Sequence, residues 1–191
     1  MIVNLLRRCI SLPALLLALL LMAGCAASPS VLIEPSFKVN PSQEVMPVLP
    51  FTSLMVPEDF SESVFNNFID ILNDNHSSTS IKWFTIIKED MKDAARLIPP
   101  GNLYMTGELW SYIENSGCCS TELRVKARVR FYRSGSPAML AEIEVPLESF
   151  FEHDSSTLTI ERDKLSLRLA REMAQQVLKL LHTSPVAKHS P

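Results

Sequence analysis

The chain has 191 residues, of which 47% are hydrophobic and 20% are charged, and its formal net charge is −3. This length allows one folded domain with short flanking segments. The slightly acidic balance excludes the basic footprint that nucleic-acid binding requires, so we expect no nucleic-acid partner.

The first 24 residues have the pattern of a secretory signal. Arg7 and Arg8 form a basic start, and an apolar run of about 15 residues follows from Cys9 to Ala23. A helix that crosses the bilayer core needs about 20 residues, so this run is too short to span the membrane. We therefore predict a signal peptide over residues 1–24.

The end of this segment, Leu21-Met22-Ala23-Gly24-Cys25, resembles the lipobox of bacterial lipoproteins, with Met22 where leucine is commoner. The resemblance implies cleavage between Gly24 and Cys25 and lipidation of the Cys25 thiol with palmitate-type chains. Two or three acyl chains, as bacterial lipoproteins carry, are enough for stable anchoring. A plain signal peptide with an incidental cysteine, or an uncleaved anchor, is the alternative.

The second residue of the predicted mature chain, Ala26, bears on the destination. In enterobacterial lipoprotein sorting an aspartate at this position favours retention in the inner membrane. Ala26 therefore implies an outer-membrane lipoprotein that faces the periplasm, and the periplasmic face of the inner membrane is the alternative.

Residues 25–43 are predicted to form a lipidated tether, because Pro29, Pro35 and Pro41 favour extended backbone. At about 3 Å per residue, such a tether could reach on the order of 50 Å. Its apolar stretch at residues 30–33 could instead lie along the domain as an edge strand. Residues 44–182 form the predicted domain, and residues 183–191 a disordered tail.

Within the domain, hydrophobic periodicity predicts eight elements in the order β-α-β-α-β-β-β-α. The predicted strands are residues 44–51, 80–87, 102–114, 122–133 and 138–151, and the predicted helices are residues 59–74, 88–98 and 160–181. Asp59 and Glu62 form a predicted capping box for the first helix. The fold class is therefore α+β, a two-layer α/β sandwich with a mixed sheet of about five strands and two or three helices on one face.

The strand over residues 122–133 alternates strictly between apolar and basic residues, and the strand after it alternates between apolar and acidic ones. Because both apolar sets must face the core, only even register sums are allowed. A sum of 272 gives the pairs Arg130–Glu142, Arg128–Glu144 and Arg124–Glu148 and leaves Lys126 opposite Pro146. This favours a self-neutralising face. A basic stripe that binds lipid headgroups or an acidic partner is the alternative.

No catalytic motif is present, so we expect a protein that is not an enzyme and has no cofactor. Glu152, His153 and Asp154 could contact a metal ion, but a solvated turn is the favoured interpretation, and we expect no metal site. Adjacent Cys118 and Cys119 are most simply two thiols in a turn, with an intermolecular disulfide or a metal contact as the alternative.

The aromatic residues Tyr104, Trp110 and Tyr112 alternate along one predicted strand and are expected to share a face. Together with Lys126 they form a candidate interaction surface, since aromatic residues are enriched at interface cores. Cover by a helix explains the same aromatic residues equally well.

Residues 44–181 resemble the TolB-amino-terminal-like lipoproteins, which include the curli-secretion lipoprotein domain and outer-membrane activators of penicillin-binding proteins. The resemblance rests on the strand end at residues 48–51, the Thr-Gly-Glu strand at residues 106–108 and the closing helix. Pro47 in the first strand departs from the pattern. The resemblance implies a non-enzymatic envelope protein, anchored to the membrane through its lipid, that works by contact with an envelope protein partner.

A second resemblance is to auxiliary lipoproteins of lipid-trafficking ABC transporters, which share a lipobox, a mixed sheet and a long last helix. It implies a carrier of lipid or glycan, with an apolar cleft between the sheet and the last helix.

Overall fold

The computed structural model describes residues 28–89, 93 and 96–183. The strands are β1 (Ser30–Ile33), β2 (Val45–Val48), β3 (Thr52–Ser53), β4 (Trp83–Ile86), β5 (Leu103–Ser116), β6 (Ser120–Arg133) and β7 (Met139–Glu152). The helices are α1 (Glu58–Asp74) and α2 (Leu158–Thr183), with a short 3-10 turn at His76–Ser78. The predicted signal peptide with Gly24 and Cys25, and residues 184–191 of the predicted tail, lie outside the described residues.

The seven strands form one mixed sheet in the order β1-β7-β6-β5-β2-β4, with β3 beside β5. Strands β5, β6 and β7 form a long antiparallel meander, whereas β2 and β3 run parallel to β5 and β4 runs parallel to β2. Both helices pack on one face of the sheet. The predicted α+β class with helices on one face is confirmed, and the sheet has two short strands more than predicted.

Both helices bury the apolar faces that their sequences predict. In α1 the buried residues are Phe60, Val64, Phe68, Ile69 and Leu72, and the α2 stripe of Leu165, Leu169, Met173, Val177 and Leu180 is at most 4% exposed. The predicted capping box does not form, because α1 begins earlier, at Glu58 directly after Pro57. Among the described residues, no helix combines the length and the apolar character needed to cross a bilayer.

Of the predicted helix at residues 88–98, residues 90–92, 94 and 95 lie outside the described residues, and residues 88 and 89 are not helical. The backbone is helical at Asp93, Arg96 and Leu97. Ile98, at its end, is buried in a small cluster with Leu49 and Tyr104.

The stretch Ser30–Ile33 takes the edge-strand alternative and pairs antiparallel with β7. Phe37 and Val39, which follow it, are buried in the main core, and the Phe37 ring lies edge-on to Phe131 with centroids 5.4 Å apart. The segment from residue 30 onward therefore packs on the sheet, and only residues 26–29 separate Cys25 from the first strand.

The register between β6 and β7 is the predicted one. Arg130 lies opposite Glu142, Arg128 opposite Glu144, Arg124 opposite Glu148 and Lys126 opposite Pro146. Two irregularities were not predicted: a shift after Phe131 near the β6–β7 turn, and a bulge in β5 between Leu109 and Ser111.

Candidate interaction surface

The face of the β5–β6–β7 meander that is turned away from the helices forms the candidate site, and we call it the open face. Strand alternation directs a mixture of basic, acidic and aromatic side chains to it. They are Thr106, Glu108, Trp110, Ile113, Arg124, Lys126, Arg128, Arg130, Tyr132, Glu142, Glu144, Glu148 and Phe150.

Ion pairs neutralise most of the basic residues on this face. Arg130 Nε lies 2.6 Å from Glu142 Oε2, and Arg124 Nε lies 3.8 Å from Glu148 Oε1, both as the register predicts. Arg124 also binds Glu122 at 2.7 Å. The self-neutralising interpretation of the face is therefore confirmed for these two arginines.

Arg128 departs from the prediction, because its partner is Glu108 on β5 at 2.6 Å and not Glu144 on β7. Glu108 lies directly opposite Arg128 on the other neighbouring strand and also lies 3.6 Å from Arg130. The predicted pairs involve only β7, whereas Glu108 on β5 reaches two arginines from the opposite side.

Neighbouring glutamates raise the pKa of two arginines on this face, Arg130 and Arg124. Partial burial acts to lower the pKa of Arg130, but the hydrogen bond and the charge of Glu142 outweigh it and hold the pKa above its ordinary value. The hydrogen bond to Glu122 likewise raises the pKa of Arg124. These side chains form a fixed, paired array.

Lys126 is the basic residue on this face that lacks an acidic partner among the described side chains, as predicted. Its Nζ lies 5.0 Å from the centroid of the Trp110 ring, and the Arg128 guanidinium carbon lies 5.7 Å from the same centroid. Cation–π contacts of this kind contribute about 0.5–1 kcal/mol at exposed sites. The Trp110 indole Nε1 is buried and has no hydrogen-bond partner within the described part of the chain.

The expectation that Tyr104, Trp110 and Tyr112 share a face is wrong, because the β5 bulge shifts the alternation by one residue. Tyr112 faces the helices, where its ring packs on Phe60 and its hydroxyl accepts a hydrogen bond of 3.1 Å from Arg162 Nε. Burial raises the pKa of Tyr112, although the Arg162 hydrogen bond acts in the opposite direction. For Tyr112, cover by a helix is the correct alternative.

Tyr104 points to the same face as Trp110 but is inaccessible. It is 5% exposed, stacks on Tyr132 with centroids 5.6 Å apart, and packs against Leu49 and Ile98. Burial raises the pKa of its hydroxyl. Of the four residues predicted for the interaction surface, only Trp110 and Lys126 are brought together on the open face.

A pocket of about 410 Å³ opens at one side of this face and was not predicted from the sequence. The loop at residues 49–52 forms one wall, and Thr106, Glu108, Arg128 and Arg130 lie on the sheet side. The pocket arises because the chain crosses from β2 to β3 along β5. A hydrophobic pattern in the sequence does not specify the path of this crossing.

The two cysteines lie in the β5–β6 turn, as predicted, and both are exposed free thiols. Their Sγ atoms are 3.2 Å apart, and the hydrogen bond between them raises the pKa of Cys119. A raised pKa favours the less reactive thiol form of Cys119.

His153 makes ordinary structural contacts at the end of β7. Its Nε2 is 2.8 Å from Thr121 Oγ1, and its backbone N–H donates to the Cys119 carbonyl at 2.9 Å. Within residues 28–89, 93 and 96–183, no three His, Cys, Asp or Glu side chains are arranged to hold a metal ion.

No protein-family model matches the chain, and no curated protein matches it. The resemblance to TolB-amino-terminal-like lipoproteins is therefore not confirmed. Among solved structures, a PelC dodecamer from Paraburkholderia phytofirmans has a similar fold. The TM-score is 0.51 with 12% sequence identity, and the match covers 77% of this chain and 96% of that chain.

Two further structures match at lower scores. The Xanthomonas campestris protein XCC0632, of the DUF330 family, has a TM-score of 0.47 and 10% identity over 81% of this chain and 93% of that chain. Rare lipoprotein B from Shewanella oneidensis has a TM-score of 0.39 and 10% identity over 70% of this chain and 95% of that chain. Bacterial lipoproteins are thus among the solved structures that match this chain, and at these identities the likeness concerns the fold alone.

Proposed function

We propose that the chain is an outer-membrane lipoprotein, anchored at Cys25 and facing the periplasm, that works as a non-enzymatic interaction module of the cell envelope. The lipobox at residues 21–25 supports the anchor, and Ala26 supports the outer membrane. The fold begins at Ser30, so the folded unit is held close to the lipid.

The open face is the observation that carries the interaction role. Trp110 and three arginines lie on it, and tryptophan and arginine are the residue types that most often dominate binding energy at protein interfaces. Arg128 and Arg130 are already fixed by their bonds to Glu108 and Glu142. A partner that docks here would therefore lose little side-chain entropy on binding.

The charge arrangement supports a binding role. The two arginines at the pocket, Arg128 and Arg130, are neutralised by Glu108 and Glu142 at 2.6 Å.

An auxiliary lipoprotein that carries lipid or glycan is the second candidate, and the pocket of about 410 Å³ favours it. The cleft expected between the sheet and the last helix is filled instead by Leu165, Leu169 and Met173, which are each 0% exposed. A carried ligand would therefore bind on the open face, beside Arg128 and Arg130.

Site-specific photocrosslinking of the full-length protein in cells tests the proposal. A benzophenone amino acid replaces Lys126 on the open face, and the matched control replaces Arg171, which is exposed on α2. We expect a discrete protein adduct at Lys126 that is absent at Arg171 and weakened by Cys25→Ala.

Adducts to lipid or glycan at Lys126, with no protein adduct, would favour the carrier. Equal labelling at Lys126 and Arg171 would contradict a role for the open face.

A further inference from the structure

We propose that β1 is a dimerisation strand. The β1 strands of two copies of this chain pair antiparallel about a two-fold axis at Leu32, and the two sheets join into one. The contact lies at the edge of the sheet. It therefore depends neither on the proposed membrane anchor nor on the partner proposed for the open face.

The outer edge of β1 carries backbone groups that are open for pairing. Glu34 N–H donates to the Leu140 carbonyl at 2.9 Å, so the even-numbered residues of β1 direct their backbone groups toward β7. The backbone groups of Val31 and Ile33 point outward, and within the described part of the chain no hydrogen bond reaches them. An edge strand with such unpaired groups is a template for another strand.

The opposite edge of the sheet, at β4, is closed by a side chain of α1. Asn73 Oδ1 accepts from the Phe84 N–H at 2.9 Å, and Asn73 Nδ2 donates to the Phe84 carbonyl at 3.1 Å. The asparagine side chain thus takes the place of a neighbouring strand. Strand β1 has no such cap among the described residues, and its Val31, Leu32 and Ile33 are 43%, 54% and 50% exposed.

The sequence of this edge is nearly symmetric about its centre, which indicates a second copy of the chain as the partner. Residues 29–35 read Pro-Ser-Val-Leu-Ile-Glu-Pro, with Leu32 in the middle, a β-branched residue on each side and a proline at each end. When two such strands pair antiparallel about Leu32, each apolar residue meets an apolar one and each proline meets a proline. The edge is therefore complementary to itself, as a two-fold interface requires.

The two prolines determine the register of the pair. Outward residues must pair with outward residues, so the axis passes through Val31, Leu32 or Ile33. With the axis at Leu32, Val31 pairs with Ile33 of the second copy, and every outward N–H and C=O group in both strands is bonded. With the axis at Val31 or Ile33, one outward carbonyl in each copy faces a proline, which has no N–H to donate.

This register also suits the side chains and the charges. Glu34 lies opposite Ser30 of the second copy, so a carboxylate meets a hydroxyl donor and no like charges face each other. Leu32 meets its own copy as a non-hydrogen-bonded pair, with Cα atoms about 4.5 Å apart. On the helix side of the joined sheet, Val31 and Ile33 of both copies form one apolar cluster.

The size of the contact determines how strong the dimer is. Strand β1 has four residues, whereas a stable interface uses roughly 20–30 residues on each side. The hydrogen bonds between the two backbones supply the affinity, as in other cases of strand addition. The dimer is therefore reversible, and a covalent crosslink that traps the pair is the suitable measurement.

Disulfide trapping in cells that express the full-length chain tests the dimer, with copper phenanthroline as the oxidant. All variants carry Cys118→Ser and Cys119→Ser, which removes the exposed thiols of the β5–β6 turn. Leu32→Cys places two thiols across the axis, within the Cα separation of about 4.4–6.8 Å that a disulfide spans. The matched control is Val31→Cys on the same strand, whose two copies lie roughly 9 Å apart.

A mixed sample tests the register. Ser30→Cys and Glu34→Cys face each other across the proposed pair, but each lies on the order of 14 Å along the strand from its own copy. Two differently tagged chains, one with each substitution, should therefore crosslink to each other and not to themselves.

We expect Leu32→Cys to give at least about fivefold more disulfide-linked dimer than Val31→Cys, because only the first pair lies within disulfide distance. Ser30→Cys and Glu34→Cys should crosslink only in the mixed sample. Equal dimer from Leu32→Cys and Val31→Cys would indicate random collision and overturn the proposal. A Leu32→Cys disulfide to a different protein, or none above the background of the Cys118→Ser/Cys119→Ser chain, would overturn it as well.

Discussion

Gly107 shows how one residue sets a close approach in the core. A Cβ atom built on Gly107 would collide with the ring of Phe51, which packs against Phe65 and Phe68 at centroid distances of 5.1 and 5.2 Å. The missing side chain therefore lets the loop after β2 seat its aromatic ring between β5 and α1.

Gly107→Ala should destabilise the protein by about 1–3 kcal/mol, because the added methyl group overpacks this contact. The control is Gly117→Ala, where the nearest heavy atom to the added Cβ is the Ser120 oxygen at 3.5 Å, an ordinary contact. Thermal unfolding of the full-length protein in detergent measures both. Equal stability of the two variants would show that the Phe51 ring moves aside without cost.

Glu161 is a second residue with a specific energetic role, at the start of α2. Its carboxylate accepts hydrogen bonds from Lys164 Nζ and Ser156 Oγ at 2.7 Å and from Ser149 Oγ at 3.3 Å. The Lys164 hydrogen bond, followed by that of Ser156, lowers the pKa of Glu161 below its ordinary value of 4.5. The charged carboxylate thus joins the end of β7 to the helix.

A lowered pKa in the folded state stabilises the protein above the unfolded pKa, and this contribution is lost as the pH falls through the folded value. We expect wild-type stability to decline below about pH 4.5, and Glu161→Gln to remove part of that decline. Glu172→Gln, at a carboxylate that accepts from Gln176, is the control. Unfolding midpoints from pH 7 to 3 measure the difference, and parallel profiles for wild type and Glu161→Gln would refute the role.

At the level of elements, the sequence determines the β6–β7 register but not the β5 bulge. The register is determined because apolar residues on both strands must face one layer, and Arg130 then meets Glu142. The bulge is not determined, because the strand is amphipathic with or without it. Without the bulge, Trp110 and Tyr112 would face the same side of the sheet. With the bulge, Tyr112 faces the helices and Ile113 faces the open side. The two-residue strand β3 and the Arg128–Glu108 pair depend on how β3 and β6 align with β5, which no local pattern encodes.

Edge strand β1 offers a test of its own alignment. Glu34 N–H donates to the Leu140 carbonyl at 2.9 Å, so alternate residues Leu32 and Ser30 direct their backbone groups toward β7, while Val31 and Ile33 direct theirs outward. Leu32→Pro should detach β1, because proline removes a ladder hydrogen bond. Val31→Pro should keep it, since that N–H faces outward.

Hydrogen exchange of the β7 backbone at residues 140–144 measures this effect. We expect protection to fall in Leu32→Pro and to stay within twofold of wild type in Val31→Pro. Loss of protection in both variants, or in neither, would contradict the assigned alternation.

At the scale of the whole molecule, the membrane anchor and the open face define the function that we propose. The proposed anchor can be predicted from the sequence, because the resemblance to a lipobox rests on a short local motif. The open face is only partly predictable from the sequence. Its charges follow from the β6–β7 register, whereas its pocket and the position of Trp110 depend on how β3 and β5 pack. In the sequence, residues 26–29 connect Cys25, the proposed anchor, to the first strand of the sheet that carries the open face.

Metabolic labelling with an alkyne palmitate analogue, followed by separation of inner and outer membranes, tests the anchor most directly. The full-length protein and Cys25→Ala are compared at equal expression. We expect the wild-type protein to carry the label and to sediment with the outer membrane, and Cys25→Ala to lose both properties. An unlabelled wild-type protein, or equal labelling of the two, would contradict lipid anchoring at Cys25 and the function built on it.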